Sequence, residues 1–402
     1  MDYLILILFV VEILILGRLD RALFGTYITP MVVLTVPYLL IVLLSIFIGP
    51  SMGFVTFYYP SLWIWIVGVL IFWFPGYILA TLILHKTNLY HYPYTINLDF
   101  KMDRVVLTLS YLIICILAFE LIITLRQAKI GTEAFSSAFG GGISGHSLLI
   151  SRFLLVYLIV RFKKKYIIPI LLILIFAFSY GVKGWILIPV LSGFFIRILL
   201  RLTRLNVVII VSILIIGLVG FYLVYRIRLG TGLQLSFIFS NIMKYIFSGP
   251  LGLSEYIKKN HEVGFDPLVV INPIINIYNK FFGNGKLFHY KNIMTYIGAN
   301  GDTNTKTFFG TVYIYSGALW GILFSFIVGL ITYFYLIIFI KTKNLIFMVI
   351  YGTYLTIFFF GWFDSYTGNL FFYEFPVFGI LFFLAFYFFE LPKKNIIRHI
   401  SN

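Results

Sequence analysis

Four basic residues fall at or just below what reads as one membrane surface, and each is of a type that can hold phosphate. Arg152 stands in GHSLLISRFLLVYLIV, about two helical turns into an apolar run, roughly 10 Å deep at 1.5 Å per residue. Lys183 stands in SYGVKGW, a turn between two apolar runs, while Arg226 and Arg228 in LVYRIRLGTG close a further one. Arginine binds phosphate oxygens in bidentate fashion and lysine acts as a point charge, so such cations meeting from separate helices can grip a diphosphate. An ionisable side chain at membrane depth is costly, and its default meaning is functional. Plainer readings stand beside this one. Arg226 and Arg228 then serve as interfacial anchors, Lys183 snorkels from its turn, and Arg152 pairs structurally with Glu12, Glu120 or Glu374.

The elements that must position these residues follow from composition. Of 402 residues, 61% are hydrophobic and 11% charged, against about 25% charged in an average soluble domain. Apolar runs near bilayer-spanning length recur along the whole chain, which predicts an all-α polytopic membrane protein. About eleven spans are expected, near 3–17, 28–49, 61–84, 104–125, 145–161, 166–180, 184–200, 205–225, 311–340, 344–362 and 370–390. Connections on one side (RLDR, 85–104, RFKKK, 197–204, KTK and the tail) hold seventeen basic residues; the short ones opposite hold three. The positive-inside rule then places the N-terminus outside and the C-terminus inside. The first run, YLILILFVVEILILG, has no basic stretch and no small-residue cleavage site, so it reads as a retained helix. Cys115, the one cysteine, reads as a small buried hydrophobe.

One connection differs in kind. Residues 226–308 form an expected outer loop of 83 residues, far beyond the usual helix connection. Two apolar patterns inside it, LQLSFIFSNIMKYIF (233–247) and PLVVINPIINIYNKF (267–281), read as interfacial helices. The stretch SGPLGLSEYIKKNHEVGFD between them reads as turns. The loop carries nine basic residues against four acidic ones, which suits an anionic ligand. This divides the chain into a membrane bundle (1–225), the loop (226–308) and C-terminal spans with a basic tail (309–402). There is no GxxxxGK[ST] loop for nucleotide phosphates, and HEVGF (261–265) lacks the second histidine of a zinc helix. No metal and no cofactor are expected.

The order of elements resembles the O-antigen and capsular polysaccharide repeat-unit polymerases of the Wzy type. The likeness runs through GTEAFSSAFGGGISGHSLLISRF (131–153), SYGVKGWILIPVL (179–191), YIFSGPLGLSEYI (245–257) and NTKTFFGTVYIYSGALWGILFSFIVGL (304–330). It implies a metal-independent membrane glycosyltransferase of GT-C-like architecture in the bacterial inner membrane, its active site facing outward. Such an enzyme moves a growing glycan from undecaprenyl diphosphate to the non-reducing end of the next lipid-linked repeat unit. Donor and acceptor are both undecaprenyl-diphosphate-linked oligosaccharides; a chain-length regulator and a flippase are expected partners, and nucleic acid is not. On this resemblance Arg152, Lys183, Arg226 and Arg228 hold the donor diphosphate, and Asn304, Thr305 and Thr307 hydrogen-bond sugar or phosphate. His261, Glu262, Asp266 and Asp302 are the candidates for the group that takes the acceptor proton. Asp364 and Tyr366, in WFDSYTGN, contact acceptor sugar or act as plain turn residues. Two neighbouring readings share parts of the layout: the ligase that moves finished glycan to lipid A, and a lipid-linked oligosaccharide flippase, which would show two similar halves.

Overall fold

The computed structural model describes residues 2–84, 100–182, 184–203, 235–259, 265–283, 285–289, 292–298 and 301–400, and positions 215, 219, 220, 222, 223 and 226. In chain order the helices are α1 (Asp2–Phe24), α2 (Pro30–Phe47), α3 (Leu62–Ile83), α4 (Phe100–Gln127), α5 (Glu133–Phe139), α6 (Gly142–Val160), α7 (Ile167–Tyr180), α8 (Gly184–Leu199), α9 (Leu235–Lys258), α10 (Asn272–Phe281), α11 (Phe308–Thr342), α12 (Leu345–Phe359) and α13 (Leu370–Ile400). A two-stranded antiparallel hairpin, β1 (Thr295–Tyr296) with β2 (Asp302–Thr303), precedes α11.

Among the described residues, 7 helical stretches are long and apolar enough to cross a membrane: Pro30–Phe47, Tyr59–Ile83, Met102–Gln127, Gly142–Val160, Phe308–Thr342, Leu345–Trp362 and Leu370–Tyr387. The chain is thus an all-α, multi-pass membrane protein in its helical content. Of the other expected spans, 3–17 lies within α1, α7 and α8 have 14 and 16 residues, and 205–225 falls mostly outside the described residues. Hydroxyls inside these helices turn back onto carbonyls one turn earlier: Thr35 to Met31, Ser192 to Ile188, Thr332 to Val328 and Thr353 to Val349. Such back-bonding is how a polar side chain is satisfied where there is no water. Cys115 is exposed on α4, contrary to the buried place expected for it. In a span the lipid-facing surface is itself apolar, so a thiol can face outward at little cost.

The chain divides into two compact units. Unit one comprises 1–92, 233–337 and 354–372; unit two comprises 93–232, 338–353 and 373–402. Unit one is built on aromatic packing. Trp65 of α3 stacks on Tyr38 of α2 at 3.5 Å between ring centroids, with Phe9 and Phe309 edge-on to it. Asp20, buried in α1, accepts from Trp73 Nε1 at 2.8 Å and Tyr333 Oη at 3.0 Å. Glycines let α11 lie against α3. A methyl at Gly329 would fall 2.2 Å from the Phe72 carbonyl oxygen, and one at Gly76 would strike the Tyr333 ring.

The described residues between 235 and 308 are no detached loop within this unit. Where SGPLG suggests a turn, α9 runs without interruption to Lys258, through Ser248, Gly249 and Pro250. Tertiary packing overrides the local breakers here. Phe247, Leu251, Leu253 and Tyr256 are buried, and Gly249 and Gly252 approach the carbonyls of Trp362 and Thr305 too closely for any Cβ. The Tyr58 amide donates to Ser254 Oγ at 2.6 Å and the Val55 amide to the Ile297 carbonyl at 3.1 Å. The second expected interfacial element is present, as a 3-10 turn Pro267–Ile271 leading into α10.

A further departure lies inside α11. Gly317 has φ 68° and ψ −175°, which no helix accommodates. Eight residues of continuous helix span about 12 Å. Here a methyl on Gly321 would lie 3.9 Å from the Cα of Tyr313. The element is therefore two limbs, 308–316 and 318–342, folded sharply at Gly317.

In unit two, α6 is the buried helix, with α8 fitted against it where Gly193 leaves room for Ile159. Phe153 is ringed by Phe375, Phe378 and Phe382 of α13. Arg197 of α8 donates to the last carbonyls of α6, Ile159 and Val160, at 3.3 and 3.0 Å, where a cation complements the helix dipole. Asp103 at the start of α4 gathers Tyr157 Oη (3.0 Å), Arg161 Nε (3.0 Å), Arg161 Nη2 (2.8 Å) and Lys163 Nζ. Two charges of RFKKK thus lock a connection to a helix.

Candidate functional site at the head of α11

The most polar buried region of unit one is the stretch TNTKT (303–307) and what encloses it. Lys306 is 2% exposed, and its ammonium donates to the carbonyls of Ile293 (3.1 Å) and Thr303 (3.0 Å). It ties the β1–β2 hairpin region to the head of α11. The hydroxyls of Thr303 and Thr305 lie 2.9 Å apart, and the Thr305 amide donates to Thr303 Oγ1. Thr307 caps α11: its Oγ1 accepts from the Gly310 amide at 3.2 Å and from Trp65 Nε1 at 3.1 Å. To do so it adopts φ 68°, a conformation that a β-branched residue rarely takes and that tends to be held at functional sites.

Asp364 completes the group. Its Oδ1 accepts from Thr311 Oγ1 at 2.9 Å, one turn into α11, and from the Ser365 amide at 2.8 Å. Burial pushes its carboxyl up to about 6, against the pull of these two donors and of Lys306. Burial likewise pushes Lys306 down to about 8, with Asp364 pulling back. Burial thus moves both the carboxyl and the amine toward neutrality.

Sequence reasoning named some of these residues and missed others. Thr305 and Thr307 are buried parts of this head and Asp364 is its carboxylate, whereas Asn304 is exposed and Tyr366 opens a short 3-10 turn beside it. Lys306 went unnoticed because a lysine between threonines reads as solvated; only its burial distinguishes it. Asp302 is exposed on β2. Asp266 serves the architecture, since its carboxylate caps the turn at Leu268 and its amide donates to the Tyr315 carbonyl beside the Gly317 break. His261 and Glu262 lie outside the described residues.

Of the proposed diphosphate ligands, Lys183 and Arg228 also lie outside them. Arg226 is exposed and donates to the Tyr222 hydroxyl one turn earlier, as an interfacial anchor does. Arg152 is the informative one. It is 4% exposed within α6, and its guanidinium carbon lies 3.1 Å from the centroid of the Trp185 ring. Glu374, one of its expected partners, meets His146 Nδ1 at 3.3 Å. Both Arg152 and Trp185 belong to unit two, as do His146 and Glu374.

The head of α11 and the Arg152 stack both fall inside one family profile, which matches residues 53–394. The chain belongs to a family of unknown function, DUF6337. The DUF6337 match takes in most of both units and begins within the segment that bonds to Ile297. No curated protein and no solved structure matches the chain.

Proposed function

We propose that this chain is a membrane glycosyltransferase of the repeat-unit polymerase kind, acting at the extracytoplasmic face of a bacterial inner membrane. The growing glycan leaves undecaprenyl diphosphate and joins the non-reducing end of a lipid-linked repeat unit. The bond from the anomeric carbon to the diphosphate breaks, a bond from that carbon to the acceptor oxygen forms, and the acceptor proton passes to a carboxylate. The departing diphosphate gains negative charge as the bond breaks, so fixed cations aimed at it lower the barrier. Arg152, with Lys183, Arg226 and Arg228, is assigned that role. The N-out, C-in arrangement, the about eleven spans and the GT-C-like architecture belong to the same reading.

The single observation that carries the proposal is the burial of Arg152 in an apolar spanning helix, stacked on an indole face. A guanidinium kept at that depth has a reason beyond stability.

Purified chain in liposomes, given an undecaprenyl-diphosphate-linked repeat unit, should yield a ladder of longer glycans and free undecaprenyl diphosphate. Arg152→Ala should leave only single repeats while the protein remains folded in the membrane. A wild-type ladder from that variant removes the diphosphate assignment, and no ladder from the unaltered chain with any such donor removes the function.

A further inference from the structure

The helix α10 turns its apolar side outward. Ile274, Ile277, Tyr278 and Phe281 are all exposed, and their spacing puts them on one face. Asn272, Asn276 and Asn279 occupy the opposite face. There Asn276 Nδ2 donates to Asn272 Oδ1 at 2.7 Å, and Asn276 Oδ1 accepts from the Phe288 amide at 2.6 Å. The second bond folds the chain back on the helix. At the bend the amides of Phe282 and Gly283 donate to the Tyr278 carbonyl, and that of Gly285 to the Asn279 carbonyl. The result is a hydrogen-bonded tip presenting Phe281, Phe282 and Leu287, which are 70%, 80% and 57% exposed. Large apolar side chains gathered outward in this way mark a contact surface.

Charge indicates what this surface meets. From Pro267 to Gly301 the sequence holds three lysines, at 280, 286 and 291, and no acidic residue. Lys280 and Lys286 are exposed and flank the tip. Aromatic rings beside lysines, whose stems are apolar and whose heads are cationic, suit the boundary between acyl chains and headgroups. Unit one itself contains the membrane-crossing stretches Pro30–Phe47 and Tyr59–Ile83, so it stands in a bilayer. We infer that the tip after α10, with the outward face of the helix, inserts into an anionic phospholipid leaflet. Phe281, Phe282 and Leu287 enter the headgroup–acyl boundary, about 5–10 Å deep, and Lys280 and Lys286 meet lipid phosphates. The amphipathic pattern of the sequence ends at Phe281; the folded-back tip and its preference for anionic lipid belong to the fold. This anchor does not depend on the glycan transfer proposed above.

The test uses the full chain, with Cys115→Ser, in vesicles of phosphatidylglycerol or of phosphatidylcholine. An environment-sensitive nitrobenzoxadiazole fluorophore is placed on Phe282→Cys and, in a second sample, on Leu287→Cys. In phosphatidylglycerol the emission should shift to the blue. Lipids spin-labelled on the acyl chain should quench it, and iodide in the water should not. Lys280→Gln and Lys286→Gln should each lower the ratio of inserted to withdrawn tip about fivefold in phosphatidylglycerol and leave it unchanged in phosphatidylcholine. Quenching of both positions by iodide and not by lipid would put the tip in water and overturn the proposal. Protection from both quenchers, lost when the chain is diluted in the vesicles, would show a second copy covering the tip and overturn it equally. Equal lipid quenching in the two kinds of vesicle would overturn the preference for anionic lipid.

Discussion

Asp103 and Asp364 are both carboxylates held away from bulk water by packed helices, and their surroundings treat them in opposite ways. Asp103 of unit two receives a tyrosine hydroxyl, a two-pronged guanidinium and an ammonium, all from the 157–163 stretch. Asp364 of unit one receives one hydroxyl and two backbone amides, those of Ser365 and Lys306, while the Lys306 ammonium spends its hydrogen bonds on backbone carbonyls. The first arrangement is saturated and can only hold. The second leaves a carboxyl and an amine that burial moves toward neutrality. Asp103 is buried and Asp364 half-buried, and asking where each donor goes separates them further.

The comparison can be broken most forcefully at Asp103. Asp103→Ala leaves Arg161 and Lys163 facing one another without an acceptor, and removing one partner of a buried ion cluster costs about 3–5 kcal/mol. The thermal midpoint in detergent should fall further for this variant than for Asp364→Asn, Lys306→Met or any substitution of Thr307. Adding Arg161→Met should recover part of the loss. If Asp103→Ala melts with the unaltered chain, the cluster is no lock and the contrast with Asp364 collapses.

A middle-sized effect should appear in the pH response of unit one. If transfer needs Asp364 ionised and Lys306 charged, rate against pH should be a bell with limbs near about 6 and about 8. Asp364→Asn should abolish the acid limb together with most of the rate. Lys306→Met should move the acid limb upward, since the lost ammonium was pulling the Asp364 carboxyl down. Stability should carry the same signature. The folded Asp364 binds its proton more tightly than the unfolded group does, so stability falls as pH rises from 3.8 to about 6. Folded Lys306 gives up its proton early, so stability rises with pH between about 8 and 10.5. Each slope should vanish in the variant lacking its group, and a flat profile in the unaltered chain would refute the pairing.

How much of this was open to the sequence depends on the range of the interaction. Apolar runs announced the spanning helices, because burial in lipid is decided by a window of neighbours along the chain. Arg152 was legible for the same reason, as a charge inside such a run. Its aromatic partner Trp185 was not, being on another helix. Gly317 hides its break in an uninterrupted apolar stretch, and α9 passes through SGPLG because Trp362 and Thr305, far along the chain, make close packing there favourable. Lys306 shows the limit most clearly. Its type and neighbours describe a solvated turn, and only the carbonyls of Ile293 and Thr303 turn it into a buried clasp. RFKKK was read for membrane sidedness, while its engagement by Asp103 is again a long-range fact.

The smallest expected effect is also the sharpest probe of how the head of α11 is held, since it has no ion cluster like that of Asp103. Thr307 combines a benefit with a cost. Its hydroxyl caps the helix and receives Trp65, a cap being worth about 0.5–2 kcal/mol, while its φ of 68° costs about 1–3 kcal/mol in a residue of this shape. Thr307→Gly removes both and should change the thermal midpoint little in either direction. Thr307→Asn keeps an acceptor and tolerates the left-handed conformation, so it should be the most stable of the series. Thr307→Ala keeps the strain and discards the cap, so it should be the least stable, by about 1–2 kcal/mol. The order Asn, then Thr and Gly, then Ala, read from melting in detergent, would show that the head is held by a strained cap. Alanine matching asparagine would show instead that neither Gly310 nor Trp65 draws stability from this hydroxyl, and that packing of Phe308 and Phe309 alone keeps Lys306 and Asp364 in place.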